Sequence, residues 1–215
     1  MQIKYTFEER KKYFTQIEEY LYKNLKFNRF RHSIGVAHTA ACLAMRYNID
    51  MDKAYIAGLF HDCAKSLDEE KTIKLCKKYD IPIDNFEKDN IFIIHGKVGA
   101  AIAQYEFGID DEDLLNSIRN HTTGRPGMSL FEKIIYLADY IEANRDVAKD
   151  LKAVRALCFI DINAALYRVV YDILKHLETT NSPIDEKSLQ TFEFYDKILN
   201  EKTKELAFSI DEELK

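Results

Sequence analysis

Apolar residues recur along this chain at helical rather than strand spacing. Phe7, Phe14, Ile17, Leu21 and Leu25 fall on one helical face, which predicts a helix capped by Thr6 and running to about Leu25. Asn28 caps a second predicted helix, RFRHSIGVAHTAACLAMRY, and Asp50 a third that ends near Lys65. Further helices are expected over residues 68–78, 96–107, 111–120, 129–144 and 161–177. Strand alternation is sustained nowhere, so the expected class is all-α, a compact helical bundle. From about residue 181 the turn-like NSPID leads to the charged NEKTKELAFSIDEELK, which reads either as a peripheral helix or as a partly disordered tail. The apolar FIDINAALYRVVYDIL suits core or an interface, so a homodimer is one expectation.

Composition narrows the function. A chain of 215 residues buries enough surface to fold without a metal or disulfide staple, so any metal is there for chemistry. A net charge of −5 gives no basic footprint, and no extended nucleic acid is expected as a partner. Cys42, Cys63, Cys76 and Cys158 stand singly, and MQIKYTFEERKK has no apolar signal core, so a reduced, cytoplasmic protein is expected. No apolar run is long enough to span a membrane.

The pattern is broken where an apolar helix carries ionisable groups. In GLFHDCAKS, His61 and Asp62 project about 100° apart, an angle suited to embracing one ion, and Lys65 follows at helical spacing from both. Alone, an aspartate and a lysine at a helix end would read as solvated surface. The company argues otherwise. His32 lies upstream on its own helix, and YLADYIEANR sets Asp139 among Leu137, Ala138 and Ile141, where a charge is costly unless paired. Imidazoles and carboxylates without thiolate suit iron, manganese, cobalt, nickel or zinc, and suit magnesium less. His38, six positions after His32 and about 240° around the helix, is expected to stand partly exposed outside the cluster. His176 reads as surface, and Cys63 as a core filler.

The ordered set His32, His61–Asp62, Asp139 resembles the H…HD…D pattern of the HD superfamily of metal-dependent phosphohydrolases. More closely, RFRHSIGVAHTAACLA, AGLFHDCAK, HGKVGA, IRNHTTGRPGMS and KIIYLADYIEANR are similar to the YqeK family of symmetrical bis(5′-nucleosyl)-tetraphosphatases. The similarity covers residues 27–155 and, more weakly, reaches about 200. It leaves residues 1–26 as an N-terminal helix without assigned role and 201–215 as a charged tail. Ala143 stands where the family pattern leads one to expect proline, a departure expected to change a helix end.

The resemblance implies an HD helical bundle with His32, His61, Asp62 and Asp139 as metal ligands and Lys65, His95 and His121 as catalytic groups. His95 and His121 either take a second ion bridged by Asp62 or face substrate phosphates at a one-ion site; the second arrangement is the expectation. Arg29, Thr122, Tyr140 and Arg145 are the implied substrate contacts. The implied reaction is symmetrical hydrolysis of diadenosine tetraphosphate and related dinucleoside polyphosphates, with ADP as product. Alternatives are another HD phosphohydrolase acting on a mononucleotide or guanosine alarmone, or a non-catalytic nucleotide sensor.

Overall fold

The computed structural model describes residues 6–146 and 150–213, and every regular element among them is helical. In order these are α1 (Phe7–Asn24), α2 (Phe27–Arg46), α3 (Met51–Phe60), α4 (Glu69–Lys78) and the short α5 (Asn85–Asp89). A 3₁₀ turn over Ile91–Ile94 leads into α6 (His95–Phe107), α7 (Glu112–Arg119) and α8 (Leu130–Ile141). The chain then forms α9 (Leu151–Ile160), α10 (Ile162–Thr179), α11 (Glu186–Ile198) and α12 (Glu201–Glu213).

Side-chain caps explain most of the starts. Thr6 forms a reciprocal capping box with Glu9, and Asp50, Asp68, Asp111, Ser129 and Asp161 each accept from amides of the turn that follows. Asn28 does not act this way. α2 already begins at Phe27, with Lys26 at its cap and no side-chain acceptor there, so Asn28 lies inside the first turn. α9 escapes the sequence reading for a similar reason: it opens from Asp150, in left-handed backbone at φ 54°, without a capping side chain.

The third helix also ends earlier than expected, at Phe60 instead of near Lys65. From there Cys63, Lys65 and Leu67 donate to Phe60, Asp62 and Ala64, the three-residue hydrogen bonds of 3₁₀ geometry. That geometry eclipses side chains three apart and so sets Lys65 over Asp62.

α2 is the hub of the bundle, packed on α3 and α8, while α7 joins α6 to α8. Small residues allow the closest crossing: Ala37, Ala40, Ala44, Ala54 and Ala57 are all fully buried. At Gly58 the approach is tight enough that a Cβ would stand 2.6 Å from the Ala37 Cα. A second close crossing lies at Gly96, where a Cβ would meet the Ile118 and Arg119 carbonyl oxygens at 2.9 Å. α10 packs on α8, α9, α11 and α12, and Ala164, Ala165, Leu166 and Val169 are buried within the chain, so its apolar face is core. α12 joins the bundle through buried Ala207 and Ile210. Among the described residues no helix is long and apolar enough to cross a membrane.

Gly58→Ala should therefore lower stability by about 1–3 kcal/mol, the usual cost of forcing a methyl into a filled core. Urea unfolding reads this directly, and an unchanged midpoint would contradict the α2–α3 crossing.

Candidate metal centre and substrate groove

The two close crossings bring four histidines to one carboxylate. His32 comes from α2, His61 and Asp62 from the turn that ends α3, His95 from the first residue of α6, His121 from the turn after α7, and Asp139 from α8. Local backbone fixes each ring. The Nδ1 atoms of His61, His95 and His121 lie 2.7, 2.7 and 2.8 Å from the carbonyl oxygens of Gly58, Phe92 and Ile118. His32 Nδ1 lies 3.2 Å from Glu142 Oε1. An oxygen partner makes Nδ1 the protonated nitrogen, so a neutral ring in each place turns its Nε2 lone pair inward.

These lone pairs meet at short range. His32 and His61 Nε2 are 3.3 Å apart, and His95 and His121 Nε2 are 3.1 Å apart. Asp62 lies between the pairs, with Oδ2 3.4 Å from His61 and 3.8 Å from His32, and Oδ1 3.1 Å from His95 and 3.5 Å from His121. Asp139 Oδ1 adds contacts of 3.0 Å to His32 and 3.9 Å to His61.

Donors bound about 2.1 Å from one ion stand about 3 Å apart when adjacent and about 4 Å apart when opposite, the separations seen here. Among the described residues two groups bring their ligand atoms within 4.8 Å of one another, His32–His61–Asp139 and His61–Asp62–His121. Buried Asp62 Oδ1 has no hydrogen-bond donor, because the neighbouring rings spend their N–H groups on carbonyls. The donor set fits a divalent cation.

When no cation is bound, protonation of the rings supplies the positive charge in its place. Burial alone would raise the Asp62 carboxyl, but His61, His121 and His95 hold it well below the usual carboxylate range. Asp139 is likewise lowered, burial being outweighed by the His32 hydrogen bond and the charge of His61. For His32 the effect of burial is overcome by its bond to Asp139, and the net shift is upward. Burial lowers Lys65, with Asp62 and Asp139 opposing it.

Above the centre lies a groove of about 930 Å³ whose lining includes Arg29, Lys65, Thr122, Tyr140 and Arg145. Arg29 Nη1 lies 2.5 Å from Asp62 Oδ2, and Arg145 holds Asp139 through Oδ1 at 2.8 Å and the carbonyl at 3.0 Å. The Lys65 ammonium lies 3.1 Å from His95 Nε2. Thr122 Oγ1 lies 3.2 Å from His121 Nε2 and 3.4 Å from that of His95. In the loop after His121, Arg125 grips buried Glu132 through both carboxylate oxygens at 2.7 and 2.6 Å.

Two features escape the sequence reading. Glu142, 2 % exposed, orients His32; its position three after Asp139 on the same helix end was the available signal. Just before Ala143, α8 stops at Ile141, Glu142 has ψ 154°, and its carboxylate accepts the Asn144 amide at 2.8 Å. His176, though exposed as expected, lines the groove together with Tyr171 and Lys175 of α10. His38 stands exposed outside the cluster, and Cys63 is buried with its thiol pushed up by that burial.

The HD domain family matches residues 29–144, a span that holds all four converging histidines and both aspartates. The chain is 39% identical over 170 residues to the symmetrical bis(5′-nucleosyl)-tetraphosphatase of Bacillus subtilis strain 168, covering 79% of this chain and 90% of that relative. The chain belongs to this HD-domain family. A second member, from Halalkalibacterium halodurans, is 39% identical over 79% of this chain and 89% of its own length. The family's fold recurs in a crystal structure from Clostridium acetobutylicum, described as a predicted HD superfamily hydrolase involved in NAD metabolism. It aligns with a TM-score of 0.82 at 40% identity, covering 86% of this chain and 97% of that one. The HD match ends at Asn144, before α9 to α12.

The buried imidazoles give the metal-free protein a distinct acid response. Burial lowers His95 from 6.5 to about 4. Between those values the unfolded chain binds a proton that the folded chain refuses, so stability falls as pH falls. His32, shifted upward, contributes stability that is fully present below 6.5 and lost only as pH rises through its folded pKa. Asp62 and Asp139, shifted downward, lose theirs only below 3.8. Metal-free protein should thus lose up to about 3 kcal/mol between pH 6.5 and 4, and His95→Gln should flatten that slope in urea titrations. An identical slope in the variant would contradict the assignment.

Proposed function

We propose that the protein hydrolyses diadenosine tetraphosphate and related dinucleoside polyphosphates symmetrically, releasing two nucleoside diphosphates, ADP from the adenine substrate. The observation that carries this reading is the coincidence of a His/Asp donor cluster with a cation-lined groove in a chain so similar to symmetrical bis(5′-nucleosyl)-tetraphosphatases. Similarity of that kind over four-fifths of the chain favours this substrate over a mononucleotide or guanosine alarmone. The complete donor set favours turnover over a sensor.

His32, His61 and Asp139 would hold one divalent ion together with Asp62 Oδ2. His95 and His121 face the other oxygen, Oδ1, which favours a second ion position there over the one-ion expectation. Nitrogen and oxygen donors without thiolate support iron, with manganese, cobalt, nickel or zinc able to substitute. Such an ion supplies Lewis-acid chemistry, making water a better nucleophile and polarising a phosphoryl oxygen.

The chain's own groups do the positioning. Arg29 and Arg145 rest on Asp62 and Asp139 and can transfer their forks to phosphate oxygens, as planar guanidinium suits bidentate contact. Lys65 is a desolvated cation, so an anionic bridge beside it relieves the cost of its burial. Thr122 offers a hydroxyl beside His121, and half-buried Tyr140 walls the groove. Phosphoryl transfer needs this kind of electrostatic placement more than covalent help. The isolated cysteines, three of them buried, support a reducing, cytoplasmic setting.

Product analysis decides the reaction. Metal-loaded protein given diadenosine tetraphosphate should release ADP alone, and AMP plus ATP would overturn the proposal. Lys65→Ala should keep its metal yet lose roughly a hundredfold in kcat; wild-type kinetics would remove Lys65 from the catalytic set.

A further inference from the structure

We propose that the C-terminal half of α10 forms a nucleoside subsite, with Tyr171 as the base platform and Asp172, Lys175 and His176 around it. This rests on the dinucleoside polyphosphate reading, and it assigns one of that substrate's two nucleosides to a wall outside the HD match.

The groove is continuous from Asp62 and His121 to Tyr171, Asp172, Lys175 and His176. Its charge is sorted along that length. Around the donor cluster its lining carries the cations Arg29, Lys65 and Arg145, as polyphosphate requires. Along α10 the lining is mixed: an aromatic ring, a carboxylate, an ammonium and an imidazole. A carboxylate repels phosphate but accepts from ribose hydroxyls and from an exocyclic amine, so Asp172 suits the nucleoside and not the phosphate chain.

The wall is also braced. The Tyr171 ring meets Phe208 edge-on at 5.3 Å and Phe192 at 6.1 Å, so α11 and α12 fix its plane. The Lys175 ammonium lies 5.8 Å over the same ring. Asp172 is held by the Arg168 Nε at 2.7 Å, and buried Arg168 also binds Asp150 at 2.8 Å and the Ala207 carbonyl at 3.2 Å. Helices beyond the HD match are therefore tied to the orientation of these groove residues. An aromatic plane held this way suits base stacking, which tolerates any base because every base has a π-face.

The test compares wild-type protein with Tyr171→Ala, Tyr171→Phe and the exposed-site variant His176→Ala. Tyr171→Ala should raise KM for diadenosine tetraphosphate about tenfold with kcat within about twofold, the range that loss of one stacked base gives. Tyr171→Phe, which keeps the ring, should stay close to wild type, and His176→Ala should raise KM by a smaller factor. Calorimetry with ADP and with inorganic pyrophosphate needs no turnover, so it reads the subsite even if product analysis were to fail. Tyr171→Ala should weaken ADP binding about tenfold and leave pyrophosphate binding unchanged. Unchanged ADP binding in both Tyr171→Ala and His176→Ala, or equal weakening of ADP and pyrophosphate, would overturn the subsite.

Discussion

A carboxylate that is 3 % exposed and ringed by four imidazoles needs cationic partners, of which Arg29 is one, and much of the fold serves that ring. Each histidine is anchored through Nδ1 to an oxygen, which leaves the inward nitrogen free and fixes the ring plane. The anchors come from helix ends and turns, where carbonyls are left without helical partners. The packing obeys the same constraint. Gly58 lets α2 and α3 meet closely beside His61, and Gly96 lets α6 meet the end of α7 beside His95. A methyl at either crossing would push apart side chains whose donor atoms now stand about 3 Å from one another.

Charge is arranged in layers around this centre. Asp62 and Asp139 are held ionised by the imidazoles, and Arg29 and Arg145 cap them from the groove side. A polyphosphate arriving there meets cations already in place, and the carboxylates remain neutralised by whatever ions the ring holds. Of the helices after α8, α10 takes no part in the ring but lines the groove, held by Arg168 and by aromatic contacts with α11 and α12. The His/Asp cluster is built from α2, α8 and the ends of α3, α6 and α7, and the groove above it extends to α10.

The parts legible in the sequence were those where a local rule is violated. His61, Asp62 and Asp139 interrupt apolar helices, and such interruptions are expensive without a partner, so they announced the cluster. Acidic and hydroxyl caps marked most helix starts. What stayed hidden depends on tertiary contact. Glu142 looks like one more surface acid until its burial under His32 is seen, and the end of α3 at Phe60 reflects a tightened turn that periodicity cannot register. Lys175 and His176 follow ordinary surface spacing, and only the course of α10 past the groove gives them a ligand to face.

Asp62 is the carboxylate that faces both imidazole pairs, Oδ2 toward His32 and His61 and Oδ1 toward His95 and His121, which makes Asp62→Asn the most direct probe: it keeps the shape and removes the charge. The measurement is elemental analysis of wild type and variant purified without chelator, with far-ultraviolet circular dichroism as the check on folding. The prediction is metal at background in the variant, with unchanged helicity. Wild-type metal content in folded Asp62→Asn would contradict the account.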